Sequence, residues 1–421
     1  MEGSITWVGI DAHKKTLAVA VLGRNGGQTE EFSVDNSEQA IRKLARRLKR
    51  TARDGEVRAC YEAGTCGYTL QRRLEAAGII CEVIAPSLVP RKPGDRIKTD
   101  RRDALKLAEF HRAGVLTTVS APSPEQEAVR DLCRCREDIR ADLIRCRHRL
   151  LKMLVRRGHV FNGTKGLWSL AHRSWLDGLV FDNPTDQVVV AEYKLAIEQT
   201  ERRLRALERE LEKAAEQPLY AEHVSWLRCF RGIDTKIALI FLAELHGIER
   251  FESPRSLAAY LGLVPSLYAS GESARPGTIT KTGNTHIRRA LVQASWHYRK
   301  RSVSHKVRAR RERQPECVIG IAEEAERRLS GRFARLSARG KSTKKVVIAV
   351  ARELVGFLWA ALSPDRRTAR HGARKSTEPE GAEASAAPRS RPDRHQPSHS
   401  KIAVGQRPKA RTEKRATRLL R

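Results

Sequence analysis

Ile5-Thr6-Trp7-Val8-Gly9-Ile10-Asp11 is an apolar run that ends on a carboxylate. Thr16–Leu22 follows with loose alternation, Gly26-Gly27 marks a turn, and Glu31–Val34 is again extended, so three successive strands are expected. Ser37 then caps a basic helix through Arg50, with Ile41, Leu44, Ala45 and Leu48 at helical spacing. Val57–Tyr61 is a short strand closed by Glu62. Thr69–Ala77 reads as a helix stopped by Gly78, Ile79–Ile84 as a strand, and Thr99–Arg112 as a helix ended by Gly114.

This β-β-β-α-β-α-β-α order predicts an α/β domain of ribonuclease H-like (RuvC-like) type over 1–122, a mixed sheet flanked by helices. From Pro124 to Arg157 apolar residues recur about every seven positions. A second long helix, Val190–Gln217, carries Val190, Ile197, Leu204 and Leu211 at one heptad position and Tyr193, Thr200, Leu207 and Ala214 at the other. Two such stripes, separated by Gly158–Pro184, predict an antiparallel coiled-coil arm over 123–222. The competing reading is a helical bundle packed inside the monomer. A third, mainly helical part over 223–362 holds an apolar helix (Lys236–Leu245), a Gly/Ser/Pro-rich loop (Val264–Gly277), a basic helix from Asn284 and an apolar helix (Lys344–Leu362). Residues 363–421 read as a disordered basic tail, without aromatics and rich in Pro, Ser and Ala.

Charge narrows the partner. Lys and Arg number 81 against 49 Asp and Glu, a net +32, and the tail from Pro364 holds 16 of the basic and 6 of the acidic residues. The body therefore keeps about two thirds of the excess, which predicts a polyanionic partner, nucleic acid, because each neutralised phosphate releases condensed counterions. No run approaches the ~18 apolar residues of a bilayer span, and no signal-peptide pattern opens the chain. These features predict a cytoplasmic, nucleoid-associated protein. Cys133, Cys135 and Cys146 cluster without zinc-ligand spacing, so reduced thiols are expected for the eight cysteines.

Four acids sit at element ends. Asp11 and Glu62 each close a strand, and Asp100 and Asp103 are i and i+3 on one helix face. Taken singly, each has an ordinary reading: a turn former, a solvated strand end, and surface partners of Arg101 and Arg102. In a ribonuclease H-like sheet, however, the first and fourth strands end side by side, and the last helix packs next to them. A cluster of that kind repels itself unless it holds cations, and two Mg²⁺ (or Mn²⁺) ions roughly 4 Å apart would serve a phosphate on both attacking and leaving sides. A second candidate lies in the loop Ser266-Leu-Tyr-Ala-Ser270-Gly271, where Gly permits close backbone approach and neighbouring Arg and Lys can meet a phosphate. Lys281, Asn284, Arg288 and Arg289 read as phosphate contacts, or alternatively as a solvated basic face.

Three blocks carry a resemblance: GIDAHKKTLAVAV from Gly9, KTDRRDALKLA from Lys98, and YLGLVPSLYASGESARPGTITKTGNTHIRRALVQAS from Tyr260. In this order the chain resembles the insertion sequence 110 family of DEDD transposases, over about residues 5–362. The resemblance implies a transposase and DNA recombinase in which Asp11, Glu62, Asp100 and Asp103 bind the metal and Ser270 forms a transient bond to a DNA 5′ phosphate. It also implies a structured guide (bridge) RNA from the element, and a homo-oligomer, dimer or tetramer, in which one subunit's serine domain completes another's carboxylate site. The family's Pro-Gly-Ile-Gly hairpin here reads Phe230-Arg-Gly232-Ile-Asp234. Two other readings stay in view: a RuvC-like junction resolvase using water and metal alone, and a nucleic-acid-binding protein on an inactive scaffold. A sugar kinase of the actin-like type lacks support, since no phosphate-binding glycine pattern is present.

Overall fold

The computed structural model describes residues 5–23, 29–53, 55–90, 99–270, 273–300, 302 and 304–363. The expected tail and the Gly26-Gly27 turn lie largely or wholly outside them. β1 (Thr6–Ala12), β2 (Thr16–Val21) and β3 (Glu30–Asp35) come first, then α1 (Glu38–Ala52), β4 (Val57–Glu62), α2 (Thr69–Ala76), β5 (Ile80–Ile84), α3 (Asp100–Arg112) and a two-residue strand β6 (Thr118–Val119). They build one sheet of order β3-β2-β1-β4-β5-β6. β1 pairs antiparallel with β2 and parallel with β4, and β4 pairs parallel with β5. The sheet is therefore mixed and consistent with the ribonuclease H-like expectation. β6 was not anticipated, because two residues carry no period.

Side chains alternate across this sheet as the pleat requires. Val8, Ile10, Leu17, Val19, Val21, Ala59 and Tyr61 share one buried core with Ile41, Leu44, Ala45 and Leu48 of α1 and Leu70 and Leu74 of α2. Ser37 caps α1 as its sequence position predicts, accepting from Ala40 N at 3.3 Å. The other face belongs to α3. Ala18 and Ala20 pack with Ala104, and Cys60 and Ile84 pack with Leu107.

The rest is helical apart from one hairpin. α4 (Pro124–Arg156), opened by a Ser123–Gln126 capping box, leads through α5 (Leu170–Asp177) to α6 (Pro184–Ala215). α7 (Ala221–Leu227), α8 (Thr235–Leu245), α9 (Pro254–Tyr260), β7 (Pro265–Ser270), β8 (Ser273–Ile279), α10 (Thr285–Ser295), α11 (His305–Arg311), α12 (Glu316–Ala338) and α13 (Thr343–Leu362) complete the described chain. α4 and α6 run antiparallel: Arg136 pairs with Glu208, Arg147 with Glu201 and Arg157 with Asp186. Of the heptad stripe on α6, Val190, Ile197, Thr200, Leu211 and Ala214 are buried. One end of the pair has its own core, with Leu143, Leu150, Leu154, Leu176 and Ile197, while Val129, Cys133, Leu211 and Ala214 at the other end join the large core of α8, α10, α12 and α13.

The Gly/Ser/Pro-rich loop is a correction: it forms the antiparallel hairpin β7–β8. Pro265 is tolerated as the first residue of its strand, and the irregular register between Pro265 and Leu267 fits a two-stranded ribbon whose outer edges need no ladder bonds.

Candidate catalytic site

α3 lies antiparallel along β1, and three positions on β1 establish this. The Trp7 ring stands edge-on to His111, near the helix end, with centroids 4.7 Å apart. Two residues on, a Cβ placed on Gly9 would come within 2.0 Å of the Ala104 carbonyl oxygen and 2.5 Å of Ala108 N, so only a hydrogen fits where strand and helix backbones touch. Two further on, Asp11 meets the first turn of α3.

The same alternation places Glu62. Gly9 sits opposite Cys60 in the parallel register, and the Cys60 thiol lies 3.6 Å from the Leu107 carbonyl oxygen, on the α3 side. Glu62, two residues beyond Cys60, returns to that face, and Asp11 and Glu62 each follow the last registered pair, Ile10 and Tyr61, by one residue. On α3 the positions Asp100, Asp103, Ala104, Leu107 and Ala108 form one stripe, of which the last three are buried against the sheet. Thr99 caps this turn by accepting from Arg102 N at 3.4 Å. The carboxyl end of β1 and the start of α3 thus bring Asp11, Asp100 and Asp103 within electrostatic reach of one another, while Glu62 closes the neighbouring strand β4 on the same face.

Distances are shortest around a residue the sequence reading passed over. His13 Nε2 is 3.3 Å from Asp11 Oδ2 and 3.5 Å from Asp100 Oδ2. Burial pushes the Asp11 carboxyl above its ordinary range; His13 draws it down, and Asp100 and Asp103 push it up again. Asp11, His13 and Asp100 can each offer a ligand atom, all within 4.8 Å of one another. A half-buried acid destabilised by two like charges, with oxygen donors converging, fits a hard divalent cation. The signal for His13 was available in Asp11-Ala-His13, since i and i+2 share a face on extended backbone.

The serine region is a separate construction. Ser270 is the last residue of β7, and its backbone pairs with Ser273 in the two-stranded sheet; Gly271 and Glu272 lie outside the described residues. Ser266, earlier on the same strand, donates to the Thr278 carbonyl at 3.1 Å and is tied into the hairpin. At the hairpin's base Gly262 (φ 62°) and Gly283 (φ 68°) press against backbone, a Cβ on Gly283 coming within 1.7 Å of the Tyr260 carbonyl oxygen. Arg288 donates to the carbonyls of Leu261 (2.9 Å) and Thr282 (2.8 Å), closing the same clamp. Asn284 caps α10 by accepting from Ile287 N at 3.0 Å and donates to Glu244 at 2.7 Å. Arg289 pairs with Glu137 of α4 while staying more than half exposed, and Lys281 is exposed with a left-handed φ of 58°. Of the four basic-loop candidates, then, Asn284 and Arg288 spend their polar groups inside the domain. Asp234, in the departing hairpin segment, caps α8 through Ile237 N at 2.9 Å.

Known proteins are similar to this chain over both regions. A DEDD-type transposase family model matches residues 8–157, and a model described as the transposase IS116/IS110/IS902 family matches residues 225–312. The chain is 39% identical over 365 residues to a Sinorhizobium fredii protein that carries a transposase name, covering 86% of this chain and 90% of that one. It is 34% identical over 343 residues to the transposase for insertion sequence element IS1533 of Leptospira borgpetersenii, covering 80% of this chain and 99% of the relative. No helix among the described residues is long and apolar enough to cross a membrane.

Proposed function

The chain belongs to the IS110 family of insertion-sequence transposases, an enzyme family, and from that premise we propose that it cuts and rejoins DNA at a metal-carboxylate site completed by a serine nucleophile. Asp11, Glu62, Asp100 and Asp103 hold and position a divalent cation, magnesium or manganese. Bound there, the ion would neutralise charge on the phosphate under attack. Ser270 Oγ attacks the scissile phosphorus: the Oγ–P bond forms, the bond to the 3′ oxygen breaks, and the proton given up by the serine is balanced by one gained at the 3′ hydroxyl. Rejoining reverses this on a new 3′ hydroxyl.

Several partners belong to the same reading: DNA ends and target, a guide RNA encoded by the element, and further copies of this chain as a dimer or tetramer at the nucleoid. The carboxylates of 1–122, on β1, β4 and α3, and the serine of 223–362, on β7, stand on different elements of the chain, which suits completion of one subunit's site by another, with 123–222 as a coiled-coil arm between them. Lys281 and Arg289 offer exposed charge to phosphate, and Asn284 and Arg288 shape the backbone beneath them. The basic segment 363–421 would add non-specific attraction.

The observation that carries this reading is the meeting of Asp11 and Asp100, from β1 and α3, around one point. The test is a denaturing gel of purified protein, with co-purifying RNA, mixed with labelled end DNA and Mg²⁺. A labelled protein band that is lost in Ser270→Ala and in Asp11→Asn is expected. Free cleaved DNA that persists unchanged in Ser270→Ala would instead mark a water-using nuclease.

A further inference from the structure

We propose that His13 is itself a metal ligand of this site, through Nε2, and shifts its preference from magnesium toward manganese and similar transition ions. The proposal rests on the reading of Asp11 and Asp100 as cation ligands and adds a nitrogen donor to them. Donors cis to one another on an octahedral ion, each about 2.2 Å from it, stand about 3.1 Å apart. His13 Nε2 lies 3.3 Å from Asp11 Oδ2 and 3.5 Å from Asp100 Oδ2, each within a few tenths of an ångström of that spacing, and the three ligand atoms all lie within 4.8 Å of one another.

The backbone presents the ring from a fixed point. His13 N donates to the Thr16 carbonyl at 2.9 Å across the β1–β2 turn, and Asn36 Nδ2 donates to the His13 carbonyl at 2.8 Å. The side chain is half exposed (50%), so the imidazole keeps a hydrated edge while Nε2 faces the two acids. An imidazole nitrogen adds affinity for transition ions, whereas a site of carboxylates and water alone suits magnesium equally well. The rival role for His13 is a plain counter-charge, an imidazolium neutralising Asp11 and Asp100. The two roles differ in sign: a counter-charge competes with the cation, and its removal tightens metal binding.

The experiment is Mn²⁺ titration of the full-length protein followed by electron paramagnetic resonance, with Mg²⁺ competition and pulsed detection of nitrogen coupling. The native protein is expected to give a ¹⁴N coupling on bound Mn²⁺. His13→Ala should lose that coupling, weaken Mn²⁺ roughly ten-fold or more, and change Mg²⁺ affinity less than about three-fold. Thermal melting of the variant controls for folding. Absence of ¹⁴N coupling in the native protein, or equal or tighter Mn²⁺ binding by His13→Ala, overturns the proposal. Asp11→Asn separates the two levels. If it removes the Mn²⁺ site while His13→Ala leaves it intact, only the histidine assignment falls. If Mn²⁺ binds Asp11→Asn as it binds the native protein, the carboxylate site falls and the histidine proposal with it.

Discussion

Gly9 carries a hydrogen where any other residue would put a Cβ within 2.0 Å of the Ala104 carbonyl oxygen. That contact sets the distance between β1 and α3, and with it the distance from Asp11 to Asp100 and Asp103. Gly9→Ala must push α3 off the sheet, because the obstacle is backbone and cannot rotate away. The expected result is a folded but destabilised protein, by about 1–3 kcal/mol as for other overpacked sites, whose strand cleavage falls far more than its melting temperature suggests. Cleavage at the native rate in Gly9→Ala would show that the α3 acids are not needed in register with Asp11. Asp11→Asn keeps the shape and removes one ligand charge. With several kcal/mol of phosphate charge stabilisation at stake, cleavage should drop about 10³-fold or more, while DNA affinity in a gel-shift titration stays within a few-fold.

At the element scale the decisive joint is where α4 meets α8 and α10. Glu244 is buried to 1% exposure, accepts from Arg134 Nε at 2.7 Å and Nη2 at 2.9 Å, and takes a further bond from Asn284. Burial alone would raise the Glu244 carboxyl, but the bonds from Arg134 and Asn284 outweigh it and hold the group below the ordinary carboxylate range. Glu137, Glu201 and Glu208, which meet Arg289, Arg147 and Arg136, are opposed by burial and held low in the same way. A carboxylate whose folded pKa is depressed gives stability that is present above its unfolded value and lost as pH falls through the folded one. The melting temperature should therefore hold from neutral pH to about 4.5, the unfolded reference, and fall below it. A flat profile down to pH 3 would contradict these pairings. Glu244→Ala, which strands Arg134 and the Asn284 amide, should cost about 3 kcal/mol in a denaturant titration.

Across the whole molecule, the charge excess is divided between body and tail. If the folded body is the main anion-binding surface, protein ending at residue 363 should still bind duplex DNA. Its log K should fall steeply with log salt, by about 0.9 per phosphate neutralised, and with a shallower slope than the full chain. Loss of all binding on truncation would assign the nucleic-acid surface to the tail instead.

Several features were fixed by local pattern alone. The apolar run of β1, the loose alternation of β2, the Ser37 cap, the heptads of α4 and α6 and the positions of the four acids at element ends are all local patterns, legible within a few residues of chain. The hairpin β7–β8 was missed because Pro, Ser and Gly carry no strand period, and its strands are held by partner backbone and a glycine clamp built from residues on both sides. Asn284 and Arg288 looked like free cations and amides for phosphate, and only folding brought Glu244 and the Leu261 and Thr282 carbonyls to them. His13 entered the site by the same route. In sequence it is two residues from Asp11, but its significance depends on Asp100, which reaches it only because α3 lies back along β1 with a glycine between them. Periodicity determines which face a residue takes; which residues share that face from distant parts of the chain is decided by tertiary packing.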